Sequence, residues 1–162
     1  MLFIFILLII YSVGRFTDLS SLALSTSSPI YTLLTFHFLH FEWYHLAINL
    51  FLFVFYWRYM RWSRYSYTMP IIIIASITAG YLARYDVPTV GCSAIIMSMA
   101  GILVATLKPR LILKNLILFA VAFAITSLAA HINTLIHIYA FSISLILARI
   151  AGNKRICRPR SK

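Results

Sequence analysis

Three short segments of this sequence carry polar side chains of the kinds that perform hydrolytic chemistry. The first contains His45 and Asn49, the second contains Ser93, and the third contains His137. A serine hydroxyl can act as a nucleophile, and a histidine, with an unperturbed pKa of about 6.5, can act as its general base. Because all three segments border apolar runs, where an unsatisfied polar group is costly, each is a functional candidate.

The first segment places two side-chain donors together. His45 and Asn49 are four residues apart, so on a helix they lie on one face, one turn apart. Taken alone, such a pair more often forms a hydrogen bond between membrane helices. A metal site on His37, His40 and His45 is another interpretation. It is a weak one, because the sequence has no HExxH motif and the other two histidines lie far away.

The second and third segments supply a hydroxyl and an imidazole. Ser93 follows Gly91 and Cys92 where a loop ends and an apolar helix is predicted to begin. There it lies near the positive end of the helix dipole, beside backbone N–H groups that can hold an oxyanion, although capping is the commoner role of such a serine. His137 lies in an apolar helix, and alone it is equally consistent with a hydrogen bond between helices.

Small residues recur along one face of each helix that carries Ser93 or His137. They are Ala94, Ser98, Gly101 and Ala105 on the first helix, and Ala140, Ser144 and Ala148 on the second. Small residues at this spacing let two membrane helices approach closely. If the two faces meet, Ser93 and His137 come within reach of each other, and a serine-histidine dyad becomes possible.

The elements that position these residues are membrane helices by composition. Of 162 residues, 62% are apolar and 10% charged, against about a half and a quarter in an ordinary soluble domain. Six apolar segments are long enough, or nearly so, to cross a bilayer, and they cover roughly 1–14, 43–61, 69–85, 92–107, 111–130 and 134–151. The sequence therefore predicts an all-α polytopic membrane protein with a single domain over 1–162. The stretch from 15 to 42 is predicted to be an interfacial loop with short helices.

The basic residues predict the orientation. A net charge of +11 would suggest nucleic-acid binding in a soluble protein. However, 12 of the 14 basic residues follow span two, lie between spans four and five, or fall near and within the tail at 152–162. The positive-inside rule makes these regions cytoplasmic. We therefore expect no nucleic-acid partner and two cytoplasmic termini, and we expect the N-terminal apolar run to be a retained span.

The two cysteines are expected to be free. Cys92 falls at the predicted outer face and Cys157 in the inner tail. This topology excludes a disulfide between them, and two cysteines are too few for a cysteine-based metal cage.

Taken together, the three segments resemble the rhomboid family of intramembrane serine proteases. That family has a His-x-x-x-x-His-x-x-x-Asn motif on the second span, Gly-x-Ser at the start of the fourth and a histidine opening the sixth. In this sequence the corresponding residues are His40, His45 and Asn49, then Gly91, Cys92 and Ser93, and then His137. The resemblance covers nearly the whole chain and implies a rhomboid-like bundle of six transmembrane helices.

The resemblance also implies roles for these residues. Ser93 would be the nucleophile and His137 its base, in a dyad without a third, acidic member. His45 and Asn49 would form the oxyanion hole with the backbone N–H of Ser93 and with that of Cys92.

Two further residues near the site would be structural, His40 in the first loop and Gly91 before the serine. His131 is left out, because the small residues expected after the family's catalytic histidine follow His137 instead.

The sequence departs from the family pattern at four positions. Ala94 follows the serine where glycine is frequent, and Met97 stands where a tyrosine often stacks on the catalytic histidine. Ala140 and Ser144 replace glycines that usually follow the histidine. We expect weaker positioning of the histidine and a slightly wider approach of spans four and six.

The function implied is cleavage of transmembrane protein substrates near the outer membrane face, without a cofactor or metal. The expected surroundings are the lipid bilayer of a bacterial cytoplasmic membrane. A catalytically inactive rhomboid-like protein that escorts transmembrane clients is the alternative. A histidine-metal membrane enzyme such as a lipid desaturase is disfavoured, because five histidines with only one close His-x-x-x-x-His box are too few for a di-metal site.

Overall fold

The described part of the chain is built from helices. The computed structural model describes residues 2–14, 16–61, 67–107 and 133–155. Its α-helices are α1 (Leu2–Gly14), α2 (Thr32–Thr35), α3 (Trp43–Arg61), α4 (Thr68–Leu82), α5 (Ser93–Thr106) and α6 (Thr134–Arg155). Short 3₁₀ turns cover Ser20–Leu22 and Phe36–Phe38. No β-strand occurs in these ranges, as the predicted all-α class requires. The predicted fifth span, His131 and Cys157 lie outside them.

Helix α5 lies at the centre of the packing. It contacts α3, α4 and α6, and α6 also packs on α4. More than half of the α5 side chains are buried, on all sides of the helix. A helix that is apolar around its whole circumference must be enclosed by other elements or by lipid. The first residue of α5, Ser93, is therefore positioned by the packing of α5 against α3, α4 and α6.

Among the described helices, α5 and α6 make the most extensive contact, and small residues lie in it, as their spacing predicts. Gly101 lies directly against Ser144 and the backbone carbonyl of Phe141. One end of the contact continues through Ala94 and Ala140, which are fully buried in one apolar cluster. The absence of a side chain at Gly101 is what permits this approach.

Gly101→Ala should therefore destabilise the protein. The added methyl group would overlap Ser144 Oγ and the Phe141 carbonyl oxygen, and it would lie 3.1 Å from the Leu145 amide nitrogen. Overpacking of this kind costs about 1–3 kcal/mol and should outweigh the gain in helix propensity. Thermal unfolding in detergent measures the effect.

Gly80→Ala on α4 is the matched control. Its methyl group would meet only side-chain atoms of Phe36, Leu24 and Leu33, at 3.2–3.3 Å, and these can shift slightly. We expect an unchanged or raised unfolding temperature for Gly80→Ala. Equal effects of the two substitutions would contradict the close α5–α6 contact.

The described helices place large apolar side chains on the outside and polar side chains inside. The exposed apolar residues include Phe5, Ile9, Ile48, Phe51, Ile73, Ile74, Ile146 and Ile150. The buried polar residues are Thr32, His37, His40, Asn49, Ser76, Ser98, His137 and Ser144. Extended apolar surface of this kind indicates an environment other than water.

Helix lengths vary across the bundle. In the ranges that the structure covers, Thr134–Ala151 is the one helix long and apolar enough to cross a membrane by itself. Thr32–Phe38 and Trp43–Arg58 meet the same criterion together, as a pair bent by 96°. Helices α1, α4 and α5 have 13, 15 and 14 residues, which is about 20–22 Å. Each is shorter than a typical hydrocarbon core of about 30 Å.

The first loop is bound to the loop between α4 and α5. Leu24 and Thr89 exchange two backbone hydrogen bonds, with N–O distances of 3.0 and 2.8 Å. The Thr26 amide donates to the Tyr85 carbonyl at 3.0 Å, and the Thr26 hydroxyl donates to the Asp86 carboxylate at 2.7 Å. The first loop thereby fixes the segment that leads into α5.

Candidate active site

Ser93 and His137 are in direct contact. Ser93 is the first residue of α5 and His137 the fourth of α6, so each lies in the first turn of its helix. The distance from Ser93 Oγ to His137 Nε2 is 2.7 Å, a good hydrogen bond between a hydroxyl and an imidazole. His137 is 7% exposed. The two residues that the sequence singled out as a dyad are therefore brought together by the α5–α6 contact.

The backbone before Ser93 has a conformation that requires glycine. Gly91 has a φ of +116°, which residues with a side chain rarely adopt. Its N–H donates to the Phe36 carbonyl at 2.9 Å, and Cys92 then caps α5 without a side-chain hydrogen bond. The N–H groups of the first turn of α5 have no acceptor within the helix. Ser93, as the first residue of α5, carries one of these N–H groups.

His45 and Asn49 lie against this same turn. A methyl group added at Gly91 would be 2.8 Å from His45 Cε1, 3.0 Å from His45 Nε2 and 3.4 Å from Asn49 Nδ2. Both residues are in the first two turns of α3, on one face, as their spacing predicts. The structure therefore brings both side chains beside Gly91, two residues before Ser93.

Gly91→Ala should be strongly destabilising for two independent reasons. A positive φ costs about 1–3 kcal/mol for a residue with a side chain, and the methyl group would overlap His45. We expect a lower unfolding temperature in detergent. Gly14→Ala is the control, since its methyl group would meet chiefly the flexible end of Leu19. Equal stability of the two variants would contradict the close packing of His45 on Gly91.

His40 binds Asn49 and lies close to Cys92. Asn49 Nδ2 is 3.0 Å from His40 Nε2, and Cys92 Sγ is 3.9 Å from the same nitrogen. All three side chains are buried. Burial and the neighbouring His45 ring lower the pKa of His40 to about 3, so the ring is neutral. The amide group donates, so Nε2 is the acceptor nitrogen of this imidazole.

Asn133 is a positioning residue to which the sequence analysis assigned no role. Its side-chain Nδ2 donates to the Ala83 carbonyl at 2.8 Å and to Thr89 Oγ1 at 3.2 Å, and its Oδ1 accepts the Ile136 N–H at 3.3 Å. It thus ties the start of α6 to the loop before α5. The signal was present in the sequence, because asparagine is a favoured residue immediately before a helix.

The remaining described histidine, His37, is separate from the site. Its ring lies against the Phe36 ring, with centroids 3.8 Å apart and the planes tilted by 35°, and burial lowers its pKa to about 3. Over the described ranges, no group of three or more His, Cys, Asp or Glu side chains is arranged to hold a metal ion.

Comparison with protein-family models identifies the chain. Residues 27–153, well over half of the sequence, match the model of the Rhomboid domain. A search of curated proteins found no significant match. The matched range includes Asn49, Ser93 and His137. Members of this family are embedded in membranes and are generally serine proteases. This chain belongs to the rhomboid family and is an integral membrane protein.

Proposed function

We propose that this protein is an intramembrane serine endopeptidase that cuts transmembrane substrates near the outer membrane face. The observation that carries the proposal is the 2.7 Å contact between Ser93 Oγ and His137 Nε2. A serine-imidazole pair at this distance is the geometry that nucleophilic catalysis requires. In this proposal Ser93 is the nucleophile and His137 the general base.

The reaction proceeds through an acyl-enzyme. The Ser93 hydroxyl attacks the carbonyl carbon of the scissile bond, and its proton passes to His137 Nε2. The tetrahedral intermediate collapses, the C–N bond breaks, and His137 returns the proton to the leaving amine. A water molecule then attacks the acyl-enzyme with His137 again acting as base, which releases the carboxyl product and restores the serine.

The dyad acts without an acidic partner. The chain has three acidic residues, and all lie in loops. Asp18 accepts a hydrogen bond from the Ser20 amide, Asp86 accepts one from Thr26, and Glu42 is exposed. In this proposal no carboxylate orients His137, whose side chain is buried in the bundle.

The negative charge of the tetrahedral intermediate develops on the former carbonyl oxygen, and an oxyanion hole stabilises it. Its donors are the Asn49 amide and His45, with the backbone N–H of Ser93 and that of Cys92. The proximity of both α3 side chains to Gly91 supports this assignment. His40 is structural in this arrangement, since it binds Asn49. Donors that are fixed before the reaction stabilise the transition state more than donors that must reorient, because no free energy is lost to reorganisation.

The proposal includes one domain over residues 1–162 with six spans and both termini cytoplasmic. The side opposite the basic regions then carries the first turns of α3, α5 and α6, where the site opens. A bacterial cytoplasmic membrane is the proposed location. The partners are single transmembrane helices that unwind near their outer ends.

A fluorophosphonate probe tests the activity in detergent. Such a probe phosphonylates a serine only when a base activates it. Wild-type protein should gain one adduct, which peptide mass spectrometry should locate on Ser93. Ser93→Ala should not be labelled. Ser98→Ala should be labelled normally, since Ser98 is buried and donates its hydroxyl to the Ala94 carbonyl.

The same experiment separates the protease from an inactive rhomboid-like protein that only binds transmembrane clients. Folded wild-type protein that takes up no probe and leaves a model transmembrane substrate intact would favour the binding protein. An adduct on a residue other than Ser93 would contradict the assignment of the nucleophile.

A further inference from the structure

The apolar contact between α5 and α6 fixes how close the two helices lie more firmly than how far one is shifted along the other. At its outer end the contact consists of Ala94 and Ala140, which are fully buried. Contacts between small apolar side chains are individually weak and have little directional preference. Ser93 and His137 lie beside these alanines, so a shift of α6 along its axis would change the distance within the dyad.

A directional link is present one turn before His137. Asn133 precedes the first residue of α6, and its Oδ1 accepts the Ile136 N–H at 3.3 Å. The two N–H groups of its amide serve two acceptors, the Ala83 carbonyl at 2.8 Å and Thr89 Oγ1 at 3.2 Å. One side chain thus joins the start of α6 to the end of α4 and to the loop before α5.

Thr89 is held on its other side by the first loop. Its N–H and its carbonyl both pair with Leu24, with N–O distances of 2.8 and 3.0 Å. Thr89 lies four residues before Ser93, and Asn133 lies four residues before His137. The hydrogen bond between Thr89 and Asn133 therefore connects the two halves of the dyad through two short stretches of chain.

We propose that Thr89 and Asn133 are positioning residues of the dyad, whose hydrogen bond fixes the first turn of α6 along its axis and thereby holds His137 at hydrogen-bond distance from Ser93. The inference rests on the proposed protease function. The dyad contact is 2.7 Å long, and a lengthening of about 1 Å would take it beyond the range of a hydrogen bond. Misplacement of that size can cost about a hundredfold in rate.

The two residues act through the position of His137 rather than on the substrate. Loss of the link should lower kcat, because proton transfer to His137 needs the dyad geometry, and it should leave KM unchanged. It should also slow fluorophosphonate labelling, which depends on the activation of Ser93 and needs no transmembrane substrate.

The test compares Thr89→Val, Thr89→Ser and Asn133→Ala, each alone, with Thr89→Val combined with Asn133→Ala. Thr89→Val keeps the shape of the side chain and the backbone pairing with Leu24 but removes the Oγ1 acceptor. It should lower kcat and the labelling rate about threefold to tenfold, the range for the loss of one neutral hydrogen bond. Thr89→Ser retains the hydroxyl and should stay within twofold of wild type. In the Asn133→Ala background, Thr89→Val should have no further effect.

Asn133→Asp separates the link from helix capping. An aspartate keeps an oxygen for the Ile136 N–H and is a favoured residue at this position, but its carboxylate has no hydrogen to donate to Ala83 or Thr89. Asn133→Ala removes both contacts and should lower kcat about tenfold to a hundredfold. Asn133→Asp should lower kcat at least as much, although the helix cap remains.

Thr35→Val is the matched control for a lost hydroxyl. Thr35 is also a partly buried threonine, and its Oγ1 donates to the Leu22 carbonyl at 2.7 Å, within the first loop. The substitution should lower the unfolding temperature in detergent about as much as Thr89→Val does and leave kcat within twofold.

The outcomes are distinct. An unchanged kcat in Thr89→Val, a Thr89→Ser variant as slow as Thr89→Val, or an equal loss from Thr89→Val with and without Asn133 would overturn this inference and leave the protease function in place. Wild-type protein that neither cleaves the substrate nor takes up the probe would overturn the protease function, and this inference with it.

Discussion

Ser93→Ala and His137→Ala should each lower kcat/KM for a transmembrane substrate by at least about 10⁴-fold, which removes detectable cleavage. The nucleophile and its base act as one unit through the 2.7 Å contact. Without Ser93 no acyl-enzyme forms, and without His137 the serine hydroxyl keeps its proton. The measurement is initial-rate kinetics on a fluorogenic transmembrane substrate in detergent micelles.

The double variant sharpens this prediction. When two residues act as a unit, removing either one already removes the contribution of both. The double variant Ser93→Ala with His137→Ala should therefore be no slower than either single variant. All three variants should unfold near the wild-type temperature, because α5 and α6 still pack through Gly101 and Ser144. Losses that add up across the two sites would contradict the dyad.

Asn49→Ala should have the second largest effect, a loss of about 10²–10³-fold in kcat with KM little changed. An oxyanion donor acts in the transition state and contributes little to the bound substrate. The substitution also leaves His40 Nε2 without its 3.0 Å partner. Steady-state kinetics and thermal unfolding of the same preparation separate the lost donor from a general loss of structure.

Thr106→Val is a suitable control for Asn49→Ala. Thr106 ends α5, at the opposite end from Ser93, and its hydroxyl donates to the Leu103 carbonyl in the same helix. Removing this hydroxyl should leave kcat within twofold. An Asn49→Ala variant that loses activity only through a higher KM would show that Asn49 binds the substrate and does not stabilise the oxyanion.

The meeting of Ser93 with His137 could be predicted from the sequence, because it depends on periodic patterns. Small residues at every third or fourth position marked the facing sides of the two helices, and Gly101 packs on Ser144 as expected. The first loop was also predicted to contain short helices, and Thr32–Thr35 and Phe36–Phe38 are found there.

Other features of the site depend on single contacts between distant segments, which periodicity does not reveal. The bridge between Leu24 and Thr89 and the bond from Asn49 to His40 are of this kind. The sequence placed Gly91 near the site, but the positive φ appears only in the folded backbone. Cys92 was considered for its backbone N–H, whereas its thiol faces His40.

The central claim is that Ser93 cuts a transmembrane helix within the membrane. The most direct measurement uses proteoliposomes that contain the protein and a single-span substrate labelled at both ends, with the cleavage site located by mass spectrometry of the fragments. Wild-type protein should cut one bond near the outer end of the span, and Ser93→Ala should leave the substrate whole. Cleavage by Ser93→Ala at the wild-type rate, or an intact substrate with folded wild-type protein, would contradict the claim.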